Sequence, residues 1–74
     1  MIKSLSDLPI GETATIDSIK GNTIVKRRFM DMGFVKGTTV KVEKVAPLGD
    51  PIQISLKGYD ICLRKSDAQN VLIH

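Results

Sequence analysis

Apolar and polar residues alternate along four stretches of this chain and recur at helical spacing along one. Ala14, Ile16 and Ser18 alternate with Thr13, Thr15 and Asp17, which predicts a strand. Ile19 breaks that phase, so a bulge or a two-sided position is expected there. Val40 and Val42 alternate with Lys41 and Glu43, predicting a second strand from Thr38 to Val45. Ile52, Ile54 and Leu56 mark a third, and Tyr59, Ile61 and Leu63 a fourth, with Gly58 at a tight reversal between them. Between the first two strands, Val25, Phe29 and Met32 fall at i, i+4 and i+7 and make one apolar stripe of a short helix. Asn22 or Thr23 is placed to cap its start, and Gly33 sits where a left-handed C-terminal cap is wanted. Arg27 and Asp31, four apart, are expected to pair on its outer face.

The segments outside these runs read as connections. Leu5 to Gly11, with Pro9 and Gly11, predicts a lead-in and a turn before the first strand. Ala46-Pro47-Leu48-Gly49-Asp50-Pro51 predicts a loop. Ser66 and Gln69 have the spacing of a capping box and support one helical turn. Val71-Leu72-Ile73 then forms a closing strand. About five short strands with one inserted short helix and a C-terminal helical turn fit a mainly β fold, a small, partly open SH3-like barrel, in which closure reduces exposed sheet edges.

Length and composition narrow the classes of function. The 74 residues make a single domain, residues 1–74, with 42% apolar residues and 26% charged ones. Aromatics are limited to Phe29, Phe34 and Tyr59, so the core is expected to be built from Ile, Val, Leu and Met. Cys62 is the only cysteine, so no internal disulfide staples the fold. Met1 to Ile10 carries no apolar segment of a secretory signal, and no apolar run reaches the length of a membrane helix. A cytosolic chain is expected, attached at most peripherally to a membrane through a partner.

Candidate chemistry is sparse. The only histidine, His74, is the last residue, where chain ends are expected to fray. Cys62 lies out of phase with the apolar set of its strand, and is either exposed or packed beneath a helix. The eight carboxylates are scattered, and no Cys/His cluster has the spacing of a metal site. No glycine-rich phosphate loop is present. No catalytic residue, cofactor or dedicated metal site is therefore expected, and the chain reads as a binding module rather than an enzyme. The net charge is a mild +3. Lys26-Arg27-Arg28, with Lys20, Lys36, Lys41 and Lys44, could track phosphates, but aromatic platforms for stacked bases are nearly absent. Arg28 also lies near the helix stripe, where an internal pair or a carbonyl cluster would hold it.

The unusual feature is apolar residues where solvent is expected. Leu48 sits between Pro47 and Gly49, Met30 falls on the polar side of the helix, and Phe34-Val35 follow the helix cap. Any one of these can tuck beneath the barrel. Together they suggest an exposed apolar patch, which usually marks a partner surface. The candidate contact residues are Arg27, Arg28, Met30, Phe34, Pro47, Leu48, Gly49, Asp50 and Pro51.

Several segments carry a family likeness. Arg27 to Gly37 resembles the helix-to-strand segment of the FeoA family, ferrous iron transport protein A. Ala46 to Pro51 is similar to that family's central loop, and Gly58-Tyr59, Cys62-Leu63-Arg64 and Ser66-Asp67-Ala68 are similar to its C-terminal stretch. Leu5 to Gly11 also resembles the family's lead-in. The family often has proline before the glycine that opens the second strand; here that residue is Lys36. The resemblance implies an SH3-like barrel in the cytosol and an accessory role in bacterial ferrous iron uptake. The implied partner is the FeoB-type transporter, a membrane protein with a cytosolic GTPase domain. Two alternatives remain: from the residues, a nucleic-acid-binding barrel of ribosomal or transcription type, and within what the resemblance implies, a ferrous iron sensor or carrier.

Overall fold

The computed structural model describes residues 3–74. Its elements run β1 (Lys3–Ser4), a single 3₁₀ turn (Leu5–Asp7), β2 (Thr13–Ile19), α1 (Thr23–Asp31), β3 (Thr39–Val45), β4 (Ile52–Leu56), β5 (Tyr59–Leu63), α2 (Lys65–Ala68) and β6 (Val71–Ile73). The six strands form one open antiparallel sheet in the order β1-β6-β2-β3-β4-β5. This is the mainly β, SH3-like architecture expected from the alternation, with one strand more. The extra strand is β1, from the lead-in, where Lys3 lies opposite Ile73 and Ser4 opposite Leu72. Two residues of backbone pairing leave no period to read in a sequence, which is why the lead-in reads as a turn.

Both long strands carry an irregularity that keeps their apolar residues inward. In β2 the register against β6 shifts between Ile16 and Ser18, so the bulge falls at Asp17, two residues before the phase break at Ile19. In β3 the register against β4 shifts between Val42 and Lys44. That extra residue flips the side-chain phase, and Val45 rather than Lys44 turns toward the core. The β4–β5 reversal is tight: Lys57 and Gly58 both have positive φ (51° and 84°), the backbone a two-residue hairpin turn requires.

The core is aliphatic except for two rings. Val40 and Val42 of β3, Ile52, Ile54 and Leu56 of β4, and Val71 and Ile73 of β6 meet over Ile16 and Leu5. Phe29 and Phe34 close it from the α1 side, their rings 5.4 Å apart and edge to face at 86°, a geometry that adds about 0.5–1.5 kcal/mol beyond area burial. Among the described residues no buried side-chain nitrogen or oxygen lacks a hydrogen bond.

Three local expectations are corrected. His74 is paired rather than loose: it exchanges main-chain hydrogen bonds with Thr15 (2.9 and 3.1 Å), and its Nε2 lies 3.9 Å from Asp17 Oδ1. Ser66 does not cap α2. The cap position is Arg64, two residues earlier, with no cap from its side chain; the Lys65 N–H instead donates to Asp50 Oδ1 at 2.9 Å. Arg27 and Asp31 form no ion pair, the described pairs being Lys41–Glu43 and His74–Asp17. At an exposed helix face such a pair gains too little to hold two long side chains in place.

Candidate partner-binding surface

The start and end of α1 decide which of its residues reach solvent. Asn22 Oδ1 accepts from the Val25 N–H at 2.9 Å and fixes the first turn. At the other end the Gly33 N–H donates to Met30 O (3.0 Å) and the Phe34 N–H to Phe29 O (2.9 Å). With Gly33 at φ 98°, this is a Schellman cap, whose two hydrogen bonds are accompanied by an apolar contact between the residue after the glycine and the third residue from the helix end. Phe34 and Phe29 are those residues. Phe34 is therefore fully buried, with 0% of its surface exposed. It is removed from the candidate contact set: an apolar residue after a helix-capping glycine is drawn back onto the helix rather than out to solvent.

Met30 behaves as expected, at 57% exposure, and Arg27 and Arg28 are both exposed. Among the described residues Arg28 has no ion-pair partner, and it is exposed rather than buried. The stripe of Val25, Phe29 and Met32 is graded: Phe29 is buried, Val25 half-buried, and Met32 lies at the rim. Ile24 was absent from the candidate set, yet it is 72% exposed. The signal for it was present, because Ile24, Arg27, Arg28 and Asp31 fall at i, i+3, i+4 and i+7 on the face opposite Phe29. An apolar residue at the centre of a charged helix face is the same kind of observation as Leu48 in a loop. Tyr59 and Ile10 are further exposed apolar residues outside the set.

The loop between β3 and β4 has a defined shape. The Gly49 N–H donates to Ala46 O at 2.7 Å, closing a turn with Pro47 and Leu48 at its centre, and the Ala46 N–H donates to Pro51 O at 3.1 Å across its base. Gly49 has φ 84°, and the Asp50–Pro51 peptide bond is cis. Leu48 projects from the apex with 95% of its surface exposed. Pro47 and Pro51 are exposed beside it, and Gly49 is half-buried. Asp50 is exposed but committed, since its carboxylate holds the start of α2.

The two candidate regions are not joined by any hydrogen bond or ion pair among the described residues. They connect through α2. Asp50 ties the loop to the start of α2, and a cleft of about 160 Å³ lined by Arg28 and Phe29 of α1, its C-cap Met32, Cys62 and Leu63 of β5, and Asp67 runs between α2 and α1. Cys62 is exposed at that cleft, which resolves its strand position. Among the described residues no three His, Cys, Asp or Glu side chains come together, and no helix is long and apolar enough to cross a membrane. What the surface offers is two exposed apolar side chains, Leu48 on the loop and Met30 on α1, the second beside Lys26 and Arg27.

The small open antiparallel sheet with its two short helices is an SH3-like domain. A family model described as the FeoA domain matches residues 3–74, and the chain belongs to the FeoA family, which is linked to ferrous iron transport. The chain is 37% identical over 67 residues to an "Fe(2+) transport protein A/Fe(2+) transporter FeoB fusion protein" of Porphyromonas gingivalis. The match covers 90% of this chain but only 8% of that protein. Among solved structures, a FeoA-like protein from Clostridium acetobutylicum superposes with a TM-score of 0.90 at 38% identity, covering 99% of this chain and 85% of that one. FeoA of Stenotrophomonas maltophilia, solved with zinc and described as a prokaryotic SH3 domain protein, superposes with a TM-score of 0.83 at 31% identity, covering 96% of this chain and 88% of that one.

Proposed function

We propose that this protein is a non-enzymatic accessory factor of bacterial ferrous iron uptake that binds a FeoB-type GTPase transporter from the cytoplasmic side and modulates it. The observation that carries this reading is the Porphyromonas gingivalis relative, in which a matching segment and a FeoB transporter share one chain. Linking two modules raises the effective concentration of one at the other, an arrangement suited to partners that otherwise meet weakly. The surface is of the matching kind. Leu48 and Met30 are single apolar anchors on a small domain, with Arg27 beside Met30 and Pro47, Gly49, Asp50 and Pro51 shaping the turn that carries Leu48.

A contact made through these residues is small, at or below about 1,200 Å² of total buried surface, the size range of transient encounters. Charged rim residues such as Arg27 and Arg28 would then set the encounter rate more than the final affinity. Calorimetric titration of the transporter's cytosolic domain with wild-type chain and with Leu48→Asp tests the reading. Saturable binding by the wild type and none by a folded Leu48→Asp variant is expected. Equal binding by both, or binding that only the nucleic-acid fraction of a preparation supports, would overturn it.

A further inference from the structure

The second half of β2 has a neighbour on one side only. Thr13 to Thr15 pair with β3, and Ile16 ends that ladder, its N–H donating to Thr38 O and its C=O accepting from the Gly37 N–H, both at 2.9 Å. Before Gly37 the chain turns away through the Val35–Thr38 hydrogen bond of 3.1 Å. Beyond the bulge at Asp17, Ser18 and Ile19 are paired with β6 alone. Among the described residues no main-chain hydrogen bond reaches these three from the α1 side.

The helix does not fill the gap. Asp17, Ser18 and Ile19 form one wall of a groove of about 310 Å³, Lys26 and Met30 of α1 form the other, and Phe34 and Val35 lie at its base. That volume stands at the small end of the roughly 300–1,000 Å³ of ligand pockets. Lys36 also lines it, and neither Lys26 nor Lys36 has an ion-pair partner among the described residues. The one carboxylate in the groove is engaged elsewhere: Asp17 accepts from Ser18 Oγ at 3.3 Å and lies 3.9 Å from His74 Nε2. The groove therefore combines an open strand edge, an apolar base and two unmatched cations.

We propose that this groove takes a short extended peptide segment, apolar at its centre and acidic at its flanks, which adds as a strand to the free edge of β2. Strand addition uses the unpaired main chain of the edge for affinity and pockets for alternate side chains for specificity. Here an apolar side chain meets Met30 and Val35, and flanking carboxylates meet Lys26 and Lys36. An anionic membrane surface matches the cations but not the concave wall or the strand edge. The groove shares Met30 with the proposed transporter contact, but the inference does not rest on that reading, since it names the chemistry of the segment and not the protein that carries it.

The test is an amide NMR titration of the labelled full chain with a synthetic peptide of alternating valine and threonine around a central leucine, with glutamates at both ends. Saturable shifts at Asp17, Ser18 and Ile19 and along the Lys26–Met30 side of α1 are expected. The double variant Lys26→Glu, Lys36→Glu should weaken binding by about tenfold or more, and both sites are exposed, so its core resonances should stay in place. N-methylation of alternate central amides of the peptide should abolish binding, because it removes the donors that pair with the edge. Equal binding of a peptide with lysines for glutamates, full binding of the N-methylated peptide, absence of shifts, or shifts produced only by phosphatidylserine vesicles would each overturn the proposal.

Discussion

Phe34 and Leu48 pose the same problem in the sequence and meet opposite fates in the structure. Each is a large apolar residue next to a glycine in a connecting segment, and each was read as a candidate contact. Phe34 follows Gly33, and the Schellman geometry at the end of α1 returns it onto Phe29, where it is fully buried. Leu48 precedes Gly49 in a turn closed on Ala46, with no element beneath it, and is 95% exposed. The difference lies in what the glycine terminates. A glycine ending a helix recruits the next apolar residue to the helix's own buried face; a glycine ending an isolated turn recruits nothing. An apolar residue in the second setting is the one that marks a contact surface.

Perturbing the two regions should therefore give unlike results. The largest effect is expected from Phe34→Ala, which leaves a cavity at the aromatic pair and should cost about 3–5 kcal/mol, a large part of the total of about 5–15 kcal/mol available to a small domain. Urea denaturation should show a variant close to unfolded without denaturant. Gly33→Ala attacks the same cap through the backbone. It places a Cβ at φ 98° and 3.0 Å from Leu56 Cδ2, and should cost more than about 1 kcal/mol, read as a lowered urea midpoint with unchanged slope.

On the loop side the effects shrink. Asp50→Ala removes the carboxylate that accepts the Lys65 N–H and should cost about 1 kcal/mol, as loss of a helix cap does. Amide exchange at Lys65 should accelerate while that of β3 and β4 does not. Leu48→Asp should change stability by less than about 0.5 kcal/mol, as a surface substitution with no structural partner. A Leu48→Asp variant as unstable as Phe34→Ala would erase the distinction between the two residues.

Most of the sheet was legible because alternation survives in β2 to β5, and even the bulge in β2 left its mark at Ile19. The β3 bulge was also written in the sequence, since Val45 and not Lys44 continues the apolar set after Val42. The β1 strand was not legible, being two residues long and paired only after β6 has returned. The cap of α2 was not legible either, because Ser66 and Gln69 offer a local solution while the actual partner, Asp50, is fifteen residues away in sequence. The exposure of Met30 was readable from helical phase, and that of Leu48 from its place in a loop between Pro47 and Gly49. Phe34 was misplaced because the Gly33 cap was followed only as a helix stop and not to the apolar contact that accompanies it, and Ile24 was missed because only the inward stripe of α1 was followed.

The central claim is that the residues held out from the sheet, Leu48 on the loop and Met30 on α1, form the transporter contact. The most direct measurement is an amide NMR map of the labelled chain with and without the cytosolic domain of a FeoB-type transporter. The account predicts shifts at Pro47-flanking amides, Leu48, Gly49 and the Arg27–Met30 segment, with β4 and β6 unmoved. Shifts confined to other surfaces, or none with the full-length transporter, would contradict it.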